Sequence, residues 1–169
     1  ISIEQLAGIY GDGGEIMNWT DLGVEVPGCK GQEIVVVSRQ NNSGTYAYFR
    51  DAVLGKSDFK LGTRDMHGSK DVVDLVEKTP CAIGYSGLAY ATDHVKLGCV
   101  AQETGGACVS PSVDTAIDGS YPIARPLFMY TNGEPTGHVG DYLNWIKSDE
   151  GQCIILEKGY APATEANCS

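Results

Sequence analysis

The sequence predicts an α/β protein with helices on the faces of a sheet, and three observations carry that expectation. A β-branched run, Glu33-Ile34-Val35-Val36-Val37, has the composition of a buried strand. Directly behind it, Tyr46, Phe49 and Val53 recur at helical spacing until Gly55 interrupts the pattern. Farther on, a helical stretch at 69–79 leads into a second apolar run, Cys81-Ala82-Ile83-Gly84-Tyr85. Such alternation of strands and helices argues for a sheet covered by helices.

Taken in order, Ser2-Ile3-Glu4-Gln5 has the spacing of a capping box, and Ile3, Leu6, Ala7 and Tyr10 share one helical face. Gly11, Gly13 and Gly14 break that helix; no strand precedes them, so they are no dinucleotide fingerprint. Trp19-Thr20-Asp21-Leu22 reads as an aromatic anchor ahead of a loop through Pro27 and Gly28. After the strand at 33–37 and the helix at 44–54, Ser69 is the expected cap of the next helix. That helix turns Val72, Leu75 and Val76 inward, places Asp71 and Asp74 in its early turns, and ends before Pro80. Strands follow at 82–85 and 95–100, then a loop-like stretch from 104 to 120 with a short helix near 113–117. Arg125-Pro126-Leu127-Phe128-Met129-Tyr130 reads as a final strand, its proline suited to a start or an edge. Val139, Tyr142, Leu143 and Ile146 form an amphipathic helix. Ser148 caps another containing Ile154 and Ile155, closed by Gly159 and Pro162.

At 169 residues the chain suits one domain or two small lobes, and glycine, at 22, is about double the usual ~7%, which points to many tight turns. A net charge of −10 makes nucleic acid and anionic membranes poor partners. It leaves a local anion site open, because helix dipoles and single arginines act over short distances. The six cysteines include no Cys-x-x-Cys pair, so disulfides and an oxidising, periplasmic or extracellular compartment are expected. Among the possible pairings, Cys99 with Cys108 and Cys153 with Cys168 are the first choices, and Cys81 reads as a buried free thiol. Lacking an initiator Met, the chain reads as a processed product or a fragment.

The chemistry concentrates between Ser38 and Arg50. There Ser43-Gly44-Thr45 opens a helix directly behind the strand ending near Arg39. A helix start has unpaired N–H groups and partial positive charge. Two hydroxyls and a glycine at such a start let a small tetrahedral anion approach. Arg39 reaches the same spot with two parallel donors. The plainer alternative stands beside this one: Ser43 or Thr45 as an ordinary N-cap, Arg39 as a surface ion-pair partner. Elsewhere, Gly84-Tyr85-Ser86-Gly87 lacks the Gly-x-Ser-x-Gly spacing of a nucleophile elbow and reads as a turn. His67, His94 and His138 are scattered without metal spacing, and the aspartates read as caps and solvated faces. No metal, cofactor or catalysis is expected.

Arg39-Gln40-Asn41-Asn42-Ser43-Gly44-Thr45 resembles the ligand motif of the phosphate-binding proteins that serve phosphate ABC transporters. Ile3 to Gly11 with Trp19 to Leu22, Ala82 to Tyr85, Asp118 to Leu127, and Gly151-Gln152 with Gly159 to Pro162 resemble further segments of that family, in the same order. The resemblance implies a type II periplasmic-binding-protein lobe, a mixed sheet flanked by helices, with the first lobe incomplete or absent. Residues 1–120 would form the second lobe, and 121–169 a return strand and helices running towards the hinge and first lobe. It further implies capture of inorganic phosphate or a similar oxyanion for an ABC transporter permease. Arg39, Asn41, Ser43, Gly44 and Thr45 would be the ligand groups, and a second chain or a missing segment would supply the first lobe. Asn41 stands where many family members place an aspartate that accepts a proton from the ligand. Asparagine has no charge but still accepts through its carbonyl, which admits a sulfate-like anion. The rival expectation is a scaffold or interaction protein that keeps the fold and assembles with itself or another chain.

Overall fold

A computed structural model describes residues 1–168. Its centre is a three-stranded, wholly parallel sheet in the order β2-β1-β3, with β1 at Val35–Arg39, β2 at Arg64–Met66 and β3 at Ala82–Gly84. Helix α2 (Gly44–Leu54) carries the chain from β1 to β2, and α3 (Ser69–Lys78) from β2 to β3. The mixed sheet expected from the resemblance thus separates into this parallel sheet and a detached antiparallel pair. That pair is β4 (Val100–Ala101) with β5 (Cys108–Val109). β2 has no counterpart in the sequence reading: Arg64-Asp65-Met66 is a short, polar edge strand without apolar alternation.

The two faces of the sheet are covered by different helices. On one, α1 (Ile3–Tyr10) and α2 cover the sheet with Leu6, Ile9, Tyr10, Phe49, Val53 and Leu54, joined by Ile34 and Tyr85. Phe49 and Tyr85 stack at 4.0 Å between centroids, and Tyr10 meets both edge-on at 4.9 and 5.6 Å. Burying such rings contributes more than their area alone. On the other face, Val72 and Val76 of α3 lie over Gly84, where an added Cβ would sit 2.8 Å from each. A side chain there would push α3 off the sheet. Val37, paired with Gly84, is fully buried between the layers.

Local signals fix the helix ends. Ser2 and Gln5 form the capping box of α1. Ser43 caps α2, and Gly55 ends it in the left-handed region at φ 57°. The cap of α3 is Gly68, not Ser69; Asp71 Oδ2 accepts from the Gly68 N–H at 2.8 Å, which places Ser69 inside the first turn.

Three disulfides close Cys29–Cys81, Cys99–Cys108 and Cys153–Cys168. Cys81 is therefore no free thiol; its partner is 52 residues away, a separation that leaves no local trace in the sequence. Two further expectations fail. Of the 95–100 stretch only Val100 lies in a strand, the short β4, held by the Cys99–Cys108 bridge and the N-terminal ammonium on the Cys99 carbonyl at 3.0 Å. Residues 125–130 form no strand, because no neighbouring strand offers its edge, and Phe128 and Tyr130 stand 69% and 89% exposed. After α4 (Val113–Ile117), helices α5 (Gly137–Ile146) and α6 (Asp149–Glu157) pack on each other, and α5 buries none of its residues. No helix among the described residues is long and apolar enough to cross a membrane.

Candidate functional site

Because β1 and β2 are parallel, the helices that follow them both begin at the carboxyl edge of the sheet. Open α/β sheets bind ligands in the crevice at that edge. A turn closed by Ser43 N–H on the Gln40 carbonyl (3.0 Å) joins the end of β1 to α2. Asn41 lies exposed within it.

Ser43 makes the helix start polar and ordered at once. Its hydroxyl oxygen accepts from the Thr45 N–H at 3.1 Å and the Tyr46 N–H at 3.4 Å. A hydroxyl that accepts twice still has its own proton to give, and that proton is polarised by the two amides. The expected open amide at Thr45 is thus taken up by the cap. The Gly44 N–H and the Thr45 hydroxyl find no partner among the described residues. The helix start therefore presents two hydroxyl donors and one backbone donor.

Arg39, last in β1, is held from both sides. Its backbone N–H donates to the Tyr85 hydroxyl at 3.2 Å, which also pairs with the fully buried Ser38 hydroxyl at 2.8 Å. Burial raises the Tyr85 phenol above its ordinary value, keeping this network neutral. The guanidinium donates through Nη1 to Ser69 Oγ and through Nη2 to the His67 carbonyl, both at 2.8 Å. Its Nε–H is buried without any partner. Alternation along β1 puts Arg39 on the α3 side of the edge with Val37, while the Gly44 amide belongs to the α2 side. The predicted residues thus gather on one edge, on either side of the end of β1.

Two contributors escaped the sequence reading. Ser69, expected as a cap, orients the Arg39 fork instead. Arg125 brings its Nη2 to 3.8 Å from the point where a Gly44 Cβ would stand, with its guanidinium 5.7 Å over the Tyr48 ring. Its only sequence signal is an arginine beside Pro126 in the return crossing. Ser86, by contrast, donates to the Ser69 carbonyl at 3.0 Å and is occupied structurally. No group of three or more His, Cys, Asp or Glu residues among the described ones could hold a metal ion. Two surface hollows lie away from this edge, around Ile16, Glu33 and Lys60 and around Asp149 and Cys153. They lack the donor set of the edge; the site is an open ledge, not a closed cavity.

Residues 1–150 match the PBP superfamily domain. The chain belongs to the PBP superfamily. It is 33% identical over 152 residues to the phosphate-binding protein PstS of Pseudomonas aeruginosa, covering 88% of this chain and 47% of that protein. Against PstS of Bacillus subtilis the identity is 34% over 166 residues, covering 98% and 51%. The chain thus spans about half the length of these curated relatives. Among solved structures it superposes on a Clostridium perfringens substrate-binding protein, described as that of a phosphate ABC transporter and holding bound phosphate. The TM-score there is 0.78 at 27% identity, over 97% of this chain and 63% of that one. PstS from Borrelia burgdorferi gives a TM-score of 0.66 at 28% identity, over 98% and 64%. The α/β architecture of this PBP superfamily chain is that of phosphate-binding proteins.

Proposed function

We propose that this chain carries one half of a site for inorganic phosphate or a similar tetrahedral oxyanion, within the solute-binding component of an ABC transporter. The observation that carries this reading is the ledge at the carboxyl edge. Ser43 O–H, Thr45 O–H and Gly44 N–H lie unpaired at the start of α2, beside Arg39, whose buried Nε–H has no protein partner. A buried donor left unpaired is disfavoured, and an anion's oxygen would satisfy it. The curated relatives are phosphate-binding proteins and the Clostridium perfringens neighbour holds bound phosphate, which points the same way.

In this reading residues 1–120 are the second lobe, and 121–169 run back towards a hinge and a first lobe supplied by another segment or chain. The exposed Leu127, Phe128, Met129 and Tyr130 are the surface such a lobe would cover. The partner is the transporter permease, and the three disulfides favour a periplasmic or extracellular setting. Catalysis is absent from the reading, since neither Ser43 nor Ser86 faces a base. The same apolar strip favours one rival, a scaffold in which a second copy covers it; a stable homopolymer by native mass would support that rival.

Calorimetric titration with inorganic phosphate tests the proposal. Water reaches the Ser43, Gly44 and Thr45 donors of the open ledge, so this chain alone binds with a Kd of about a millimolar or weaker, and Arg39→Ala abolishes the heat. Submicromolar binding by the chain alone would contradict the half-site, and full retention in Arg39→Ala would exclude that arginine.

A further inference from the structure

The reading above leaves Arg125 unassigned, and its position asks for an explanation. Gly44 and Tyr48 are four residues apart and share one side of α2. Arg125 lies along that side, its Nη2 beside Gly44 and its guanidinium over the Tyr48 ring. The Tyr48 hydroxyl donates to the Ala124 carbonyl at 2.6 Å, which fixes the backbone that presents Arg125. No carboxylate pairs with Arg125 among the described residues, although the chain has 22 acidic residues.

The electrostatic sign is wrong for a structural role. A helix start favours negative charge, and a cation beside it is repelled. Helices α1, α3, α4 and α6 follow the rule with Glu4, Asp71, Asp114 and Asp149; the first turns of α2 and α5 have no acid, and α2 has the Arg125 guanidinium lying beside its start. Meanwhile Arg39 commits two donors to the α3 side. Among the described residues, the guanidinium within 4 Å of the Gly44 Cβ position is that of Arg125.

We infer that Arg125 is a second oxyanion-binding residue of the ledge, closing on the guest from the α2 side while Arg39 holds it from the α3 side. This inference rests on the oxyanion reading of that edge. Arg125 is exposed, so its contribution includes long-range attraction that salt screens, whereas the buried Nε–H of Arg39 is screened far less.

Amide spectra of the ¹⁵N-labelled chain, titrated with inorganic phosphate at about 20 and about 200 mM NaCl, test it. In the wild-type chain phosphate moves the Gly44 and Thr45 amide signals. Arg125→Ala raises the apparent Kd about three- to tenfold at low salt and flattens its salt dependence, with melting unchanged in the absence of phosphate. Arg125→Lys restores the salt dependence but not the full affinity, because it keeps the charge and loses the fork. An Arg125→Ala Kd within about twofold of wild type at both salts would overturn the inference while the ledge stands. A loss that Arg125→Lys does not rescue and that accompanies a lower melting temperature would also overturn it, as a structural effect. Wild-type Gly44 and Thr45 signals that ignore phosphate would sink the oxyanion reading itself.

Discussion

Residues 1–124 keep most of their apolar side chains buried or partly buried against one another, whereas residues 125–168 leave most of theirs in water. The buried hydrophobic residues run from Leu6 to Ala101; beyond residue 124 the buried positions are Gly151 and Gln152. Hydrophobicity is not what separates the two regions, since Leu127-Phe128-Met129-Tyr130 is as apolar as any strand in the first. The difference is a partner. β1 has a neighbour on either side and a helix layer on either face, while 125–130 has neither. An apolar run becomes a strand only where another strand supplies its hydrogen bonds. The proposed oxyanion ledge sits where the regions meet: Arg39 and Ser43 belong to the packed part, and Arg125 is the first residue of the open one.

The contrast is most sharply tested by removing one ring from each region. Phe49→Ala takes away the ring stacked on Tyr85 and leaves a cavity, so urea denaturation should show a loss of about 3–5 kcal/mol. Phe128→Ala should change stability by less than about 0.5 kcal/mol. Equal losses would mean that the two regions share one core.

Next in size come the disulfides. Replacing Cys29 and Cys81 by alanine releases a loop of 52-residue separation that ties the sheet together, a loss of up to about 4 kcal/mol. Replacing Cys153 and Cys168 should leave unfolding of the packed region unchanged, because that bridge spans 15 residues wholly within the open one. Hydrogen exchange should then show faster opening confined to 148–168. Loss of protection in β1 would contradict the division.

A smaller effect should appear at alkaline pH. Burial holds the Tyr10 phenol well above its ordinary value, with Tyr85 adding to the shift, and burial likewise raises Tyr85. The folded chain keeps protons that the unfolded chain releases near pH ~10. This stabilisation is complete below that pH and is lost as pH rises further. Tyr10→Phe should move the alkaline unfolding midpoint upward; Tyr142→Phe, in the open region, should not. A downward shift in Tyr10→Phe would mean that its 3.4 Å hydrogen bond to the Val37 carbonyl outweighs the burial of the phenol.

What the sequence made legible follows the same division. The Ser2 cap, the Ser43 cap and α2 are written in local patterns and formed over the expected residues, while β1 formed at Val35–Arg39, two residues beyond the expected 33–37. The Cys99–Cys108 and Cys153–Cys168 pairings were also readable, because each joins cysteines close in the chain. Features that depend on distant partners were not: the edge strand β2, the Cys29–Cys81 bridge and the missing strand at 125–130. Of the ledge, the motif from Arg39 to Thr45 was visible. That Ser43 would occupy the Thr45 amide, that Ser69 would orient Arg39, and that Arg125 would arrive 80 residues later are products of tertiary packing.

The most direct measurement is a crystal structure of the chain grown in a saturating concentration of inorganic phosphate. The account predicts tetrahedral density at the carboxyl edge of β1, within hydrogen-bonding distance of the Gly44 N–H and the Ser43 hydroxyl and in contact with the Arg39 guanidinium. An edge with no bound anion, with Ser43 still serving only as a cap, would contradict it.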